Sequence, residues 1–336
     1  MPRWRVIICF VFFQVFIRGQ DIHFSEYNGS VLNLSPAFTG FFEGEYRFNG
    51  IFRKQWQAVP VPYTTVSMSA EGKSPLSFTN KKIISYGLLF NNDKAGDALY
   101  TMNQIYLNAA YLYKLKKDSL FIMNIGFSLG YVHHAFNYNR MTFDAQFDGL
   151  QYQASAPTYE SFYRTSLRYF DISIGTAWKY MWHQKFYITY TFSILHLNKP
   201  VVTYYANTSS KVDRKISNYI QLHYPVQQRL FLLPEFILSV QGRYYEFIPG
   251  TQLSYLINPL NDVYGRVGLY FRTRDAVILR IGLDHQTTFV GISYDINVSK
   301  FVPATHSRGG FEMYVIHTLK SKKQYLSKKK PCPVFL

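Results

Sequence analysis

Histidine, serine and carboxylate side chains are the groups with which this chain would perform chemistry, and their spacing argues against it. His133-His134 is the only adjacent pair of histidines. Two imidazoles would begin a zinc site, but no third ligand stands at metal-site spacing from them. His183, His196, His223 and His285 are scattered one to a segment. Asp284-His285 and nearby Ser293 supply the residue types of a hydrolytic triad. No nucleophile elbow accompanies Ser293. Neither a phosphate-cradling loop nor a dinucleotide fingerprint occurs. The expectation is a non-enzyme with no catalytic, cofactor-binding or metal-ligating residues, and no cofactor.

The elements that would have to position such residues look equally unlike those of a soluble enzyme. Of 336 residues, 17% are charged and 18% aromatic, with 29 Tyr and 29 Phe. Soluble domains average about 25% charged residues, so the outer surface need not face water. Two cysteines, Cys9 and Cys332, exclude a disulfide-stapled scaffold. At the start, Arg3 and Arg5 precede an apolar run from Val6 to Phe16, and Gly19 offers a small residue for cleavage. That run is shorter than the roughly 20 residues a spanning helix needs, so residues 1–19 are expected to be a cleaved signal peptide. The formal charge of +16 is concentrated at the ends. Arg3, Arg5 and Arg18 lie in the leader, and six lysines lie in residues 320–336. The remainder has no dense basic face, so no nucleic-acid partner is expected.

Within the mature chain, segments of about ten residues alternate apolar and polar side chains, the pattern of a membrane-barrel strand. Val277, Leu279, Ile281 and Leu283 share one face, opposite Arg280, Gly282 and Asp284. Val267, Leu269 and Phe271 alternate with Arg266, Gly268, Tyr270 and Arg272. Ile84, Tyr86, Leu88 and Phe90 oppose Ser85, Gly87 and Asn91; Val290, Ile292, Tyr294 and Ile296 oppose Gly291, Ser293 and Asp295. An arginine on a lipid-facing wall would cost about 2–4 kcal/mol, so the apolar faces must point out and the arginines in. Fourteen strands are expected, near 46–56, 62–72, 83–91, 98–114, 119–135, 165–181, 185–197, 214–225, 229–241, 245–257, 262–272, 276–284, 287–298 and 309–319. The longest connections, 136–164 and 198–213, fall on the same side. Such segregation of loops is natural to an outer-membrane barrel, and packed sheets have no reason for it. Aromatic residues near strand ends (Trp56, Tyr100, Tyr113, Tyr180, Trp182, Tyr187 and Tyr270) would form the interfacial girdles.

Two segments lie outside this barrel of residues 46–319. Residues 20–45 would plug the lumen or lie as a periplasmic arm. A 14-stranded barrel falls between those filled by their own side chains and those holding an aqueous channel, so a plug has room. The basic tail, 320–336, would hang in the periplasm, where its lysines suit an acidic partner or anionic lipid.

The mature start, Gln20-Asp21-Ile22-His23-Phe24-Ser25-Glu26-Tyr27, followed by Leu34-Ser35-Pro36-Ala37-Phe38-Thr39-Gly40, resembles the opening of the PorP/SprF family. So do Arg53-Lys54-Gln55-Trp56 and Pro62-Tyr63-Thr64-Thr65. Toward the far end, Gly291-Ile292-Ser293-Tyr294-Asp295-Ile296-Asn297 and Arg308-Gly309-Gly310-Phe311-Glu312 complete the likeness, with Pro331-Cys332-Pro333 closing the chain. One departure is Ser35, where the family usually shows Asn. The resemblance implies an outer-membrane β-barrel of the type IX secretion machinery that assists export or surface attachment of secreted proteins or adhesins, in some members serving gliding motility. Its implied partners are outer-membrane lipid, periplasmic and outer-membrane components of that machinery, and secreted substrate proteins. No catalytic residues carry over. The alternative is an outer-membrane channel for small anionic or amphipathic solutes, with Arg266, Arg272 and Arg280 facing the pore. A barrel enzyme such as a lipid hydrolase has the least support.

Overall fold

A computed structural model describes residues 21–55, 63–76, 82–96, 98–115, 120–183, 185–205, 210–300 and 302–320. The expected leader (1–19), Trp56 and the tail beyond Lys320 lie outside the described residues. The alternating segments form fourteen antiparallel strands: β1 (Tyr46–Gln55), β2 (Tyr63–Pro75), β3 (Lys82–Ala95), β4 (Tyr100–Lys114), β5 (Phe121–Ala135), β6 (Ser166–His183), β7 (Phe186–Leu195), β8 (Lys215–Pro225), β9 (Leu230–Gln241), β10 (Tyr244–Asn258), β11 (Val263–Arg272), β12 (Ala276–His285), β13 (Thr288–Asn297) and β14 (Arg308–Leu319). Each pairs with its sequence neighbours, and β14 closes on β1 with Arg53 opposite Glu312 and Tyr46 opposite Leu319. Closure leaves no edge strand, which is what lipid demands of a sheet.

Side-chain parity behaves as the alternation requires. On β3, Ile84, Tyr86 and Leu88 are exposed while Ser85 and Asn91 are fully buried. On β12, Leu279 and Ile281 face out and Arg280 is fully buried. The outer wall is therefore a continuous apolar surface, far larger than the patches of a few hundred Å² that a water-soluble monomer exposes. Serine, asparagine and charged residues line the inside.

One end of the barrel carries both ends of the sheet and the connections His183–Phe186, 226–229, 259–262 and 286–287; we call it the turn end. The other, the loop end, carries 136–165, 196–214 and 298–307. The segregation is not strict: at the loop end 273–275 is short, as its sequence spacing indicates, and 96–99 and Gly242-Arg243 are tight because β3 runs on to Ala95 and β10 begins at Tyr244. The two long loops pack together through rings: Phe136 lies 5.1 Å from both Phe162 and Tyr204, and Phe162 lies 5.1 Å from Tyr205.

The aromatic girdle needs correction. Tyr180 and Trp182 point outward from β6 and stack near Phe186. Tyr270 is fully buried in the lumen, Tyr187 stacks on His223, and Tyr100 bonds His134. Parity governs here: Tyr270 alternates with Leu269 and Phe271, so it must face in whenever they face lipid.

Candidate luminal site

The N-terminal segment, residues 21–45, lies against the inner wall and runs from the loop end to the turn end. At the loop end, Asp21 meets His196 and Lys215, the first residue of β8. At the turn end, the Glu45 amide donates to the Leu319 carbonyl, and Lys73 bonds the Phe42 carbonyl while its ammonium lies 4.6 Å over the Phe42 ring. Between them the chain makes short helical turns at Tyr27–Ser30, Val31–Leu34 and Pro36–Phe38. Pro36 fits the start of its turn because its missing N–H would have no partner there, and the Ser35 hydroxyl accepts from the Ala37 amide. This turn presses on the wall at Gly126 of β5, where a Cβ would sit 2.3 Å from the Pro36 carbonyl oxygen; only glycine permits that approach. Asn124 donates to the Ala37 and Thr39 carbonyls, and Asn33 and Asn91 bond each other.

The densest contacts surround Ser25 and Glu26. Glu312 on β14 accepts the Ser25 amide on one carboxylate oxygen and the Glu26 amide on the other, both at 2.7 Å. Arg53 donates to Glu312 at 2.5 Å and to Ser25 Oγ at 3.0 Å. Ser25 Oγ donates to Asp295 at 2.7 Å and accepts from Arg272 at 2.5 Å. Arg280 on β12 bonds the Ser25 carbonyl and lies 3.2 Å from Glu235 and 3.3 Å from Glu26. Its guanidinium also sits 3.6 Å over the Tyr270 ring and 4.4 Å over Tyr27. Three arginines thus face four carboxylates, all buried. Each arginine has a carboxylate within 3.3 Å, so the inward Arg272 and Arg280 offer no free field to a passing anion. Arg266 is likewise paired, with Asp284 at 2.6 Å.

A second contact group fixes the turn end. Arg47 donates to both oxygens of Glu71, at 2.8 and 3.0 Å, and to the Phe38 carbonyl at 3.2 Å. The Gly40 amide donates to the same carboxylate at 3.1 Å.

At the loop end, His196 bonds Asp171 through Nδ1 at 2.9 Å and Asp21 through Nε2 at 3.0 Å. Burial alone disfavours the imidazolium, but the Asp21 and Asp171 carboxylates outweigh it and hold the His196 pKa up at about 10. Burial likewise opposes charge on Asp21, and His196 and Lys215 hold its carboxyl well below the usual range. A ring with both nitrogens engaged by carboxylates is a clasp; it has no nitrogen left to act as a base toward Ser128 or Ser173 nearby. The cavity these groups share with Asn33 and Tyr106 is about 30 Å³, the scale of one water. The clasp has a signed pH dependence. His196 gains stability from a raised pKa, so its contribution is complete below 6.5 and is lost as pH rises through about 10. Asp21 contributes throughout neutral pH and fails only in strong acid. Current recordings of the protein in planar bilayers should therefore stay quiet at neutral pH and begin to flicker above about pH 10; a trace unchanged at pH 11 would show that the clasp does not hold the segment.

The residues first considered for chemistry are not brought together. His134 faces in and bonds Tyr100 and Tyr169. Ser293 lies opposite Arg280 and donates to Glu312, while Asp284 lies opposite Phe289. A G-x-S-x-G string, Gly126–Gly130, lies in mid-strand with Ser128 buried, not at the strand-to-helix turn that exposes a nucleophile. Among the described residues no group of three or more His, Cys, Asp or Glu side chains could hold a metal. Sequence reasoning missed Glu26, Arg53, Glu235, Asp295 and Glu312 as a set. The available signal was parity, since each wall member is an isolated charge on the inward face of an otherwise apolar alternation.

Two solved structures give the fold context. A FadL homologue from Pseudomonas aeruginosa superposes with a TM-score of 0.53 at 9% identity, over 84% of this chain and 92% of that one. A deltaS2 mutant of the TodX monoaromatic hydrocarbon channel gives 0.51 at 8% identity, over 84% and 91%. At such identity the likeness concerns the barrel alone. No curated protein matches the chain in sequence. The sequence profile of the family described as "Type IX secretion system membrane protein PorP/SprF" matches residues 17–316, spanning the luminal segment and all but the end of β14. The chain is a member of the PorP/SprF family, an outer-membrane β-barrel of type IX secretion.

Proposed function

We propose that this barrel is a non-enzymatic accessory of type IX secretion that assists export or surface attachment of particular secreted proteins or adhesins, including those of gliding motility, and that it works through protein contacts with its lumen closed at rest. The observation that carries this reading is the lumen itself. Residues 21–45 occupy it from end to end, and its inward arginines are paired with carboxylates. A solute channel selective for anions would need those charges free. In this reading residues 1–19 are a signal peptide removed on export. Short turns of outer-membrane barrels face the periplasm, so the turn end faces inward and the loops 136–165 and 196–214 face outward.

The basic tail, 320–336, then hangs in the periplasm beside the other secretion components. Its lysines meet an acidic surface there. Lys328→Glu, Lys329→Glu and Lys330→Glu together should lower recovery of periplasmic secretion components in co-purification several-fold, with a steep salt dependence in the parent. Undiminished recovery would show that the tail does not dock those components.

A further inference from the structure

The contacts around Ser25 and Glu26 read a polypeptide in the way a receptor does. Glu312 accepts two successive amide N–H groups, and Arg280 donates to the carbonyl between them. These three contacts ignore side-chain identity. Three further ones do not. Ser25 Oγ sits among Arg53, Arg272 and Asp295, a pocket sized for a small hydroxyl. Glu26 pairs with Arg280. The Tyr27 ring lies edge-on to Tyr219 at 5.4 Å and to Tyr270 at 6.4 Å. The wall side of this arrangement comes from β1, β8, β9, β11, β12, β13 and β14, so it is built into the sheet. The segment side is joined covalently to the barrel at residue 45, beyond Gly44, whose φ of +135° only glycine adopts readily.

Nor does the segment satisfy the wall. Arg53 Nε and Asp295 Oδ1, on side chains only 2% exposed, have no hydrogen-bond partner. A buried polar atom left unmade is costly, so the wall carries more bonding capacity than this occupant uses. Apolar packing would hold a permanent plug without that penalty.

We propose that this wall is a binding site for a short polypeptide segment, that Ser25-Glu26-Tyr27 is its resident occupant, and that a small-hydroxyl, acidic, aromatic sequence on a second chain takes the same place when the resident swings out. This goes beyond the export reading and does not depend on it, since it concerns only what the lumen binds.

The test uses the full-length protein in detergent micelles and a fluorescent synthetic peptide with the sequence of residues 21–39, followed by anisotropy. Glu26→Ala in the protein weakens the resident without altering the wall. Such a protein should take up the peptide saturably and at least about tenfold more tightly than the parent, as loss of a charge-assisted contact implies. Methylating the peptide nitrogens at the positions of Ser25 and Glu26 removes the two N–H groups that Glu312 accepts, leaving the protein untouched. It should weaken uptake by about tenfold or more, and a scrambled peptide should not bind. Absence of saturable uptake by both proteins would overturn the proposal, as would uptake of the methylated or the scrambled peptide equal to that of the unmodified one.

Discussion

Deletion of Asp21–Thr39 is expected to raise single-channel conductance by roughly an order of magnitude or more, because a 14-stranded barrel without a filler approaches the size that leaves an aqueous path. The wall itself should persist. Its strand pairing is continuous through β14–β1 closure, and each strand turns an apolar face to lipid independently of the luminal segment. The deletion does leave buried carboxylates and arginines facing water in place of Ser25 and Glu26. Those wall groups still have one another: Arg53 keeps Glu312 and Asp295, and Arg280 keeps Glu235. Discrete conducting steps absent from the parent are the expected record. A conductance equal to the parent's would mean that residues 21–39 do not limit passage through the lumen.

Replacement of Arg280 should have the largest effect on stability. It is fully buried and is the cation shared by Glu26 and Glu235. Arg280→Met keeps most of the volume but leaves both carboxylates without their common partner. Breaking a buried pair by removing one member costs about 3–5 kcal/mol, chiefly because the other charge stays behind. Urea unfolding of the refolded protein should show a loss of that size. Adding Glu26→Gln and Glu235→Gln to Arg280→Met should restore much of it, since a site emptied of charge pays no desolvation. A loss below about 1 kcal/mol for the single change would indicate that water reaches the site and screens it.

The barrel was legible because lipid simplifies the code. With hydrocarbon outside and polar groups inside, every strand must alternate, and the strands marked by that alternation end within a few residues of the observed ones. The alternation ends before the strand does where the outward face turns polar, as after Asn91, although pairing continues to Ala95. The direction of Arg272 and Arg280 follows from the same rule. For Tyr270, parity and not its place near a strand end decides the side it faces.

The luminal site was hidden for a different reason. Its members stand far apart in sequence, as Ser25 and Glu312 do, and nothing local says which inward charges will meet. Yet the stretches that carry the family likeness contribute much of it: Ser25, Glu26, Arg53, Asp295 and Glu312 all lie within them. Glu235 and Arg280 lie outside those stretches and only the register of the barrel brings them in. The histidines show the converse. His196 looked like one more scattered imidazole, and it became a clasp because β7 ends beside Asp171 and the luminal segment delivers Asp21 to its other nitrogen.

Whether the barrel serves secretion through protein contacts or as a solute pore is decided by quantitative proteomics of the secreted and surface fractions of a strain lacking the chain, against its parent. Selective loss of one or a few secreted proteins, retained inside the cell, is expected. An unchanged secreted and surface proteome would rule out the secretion role.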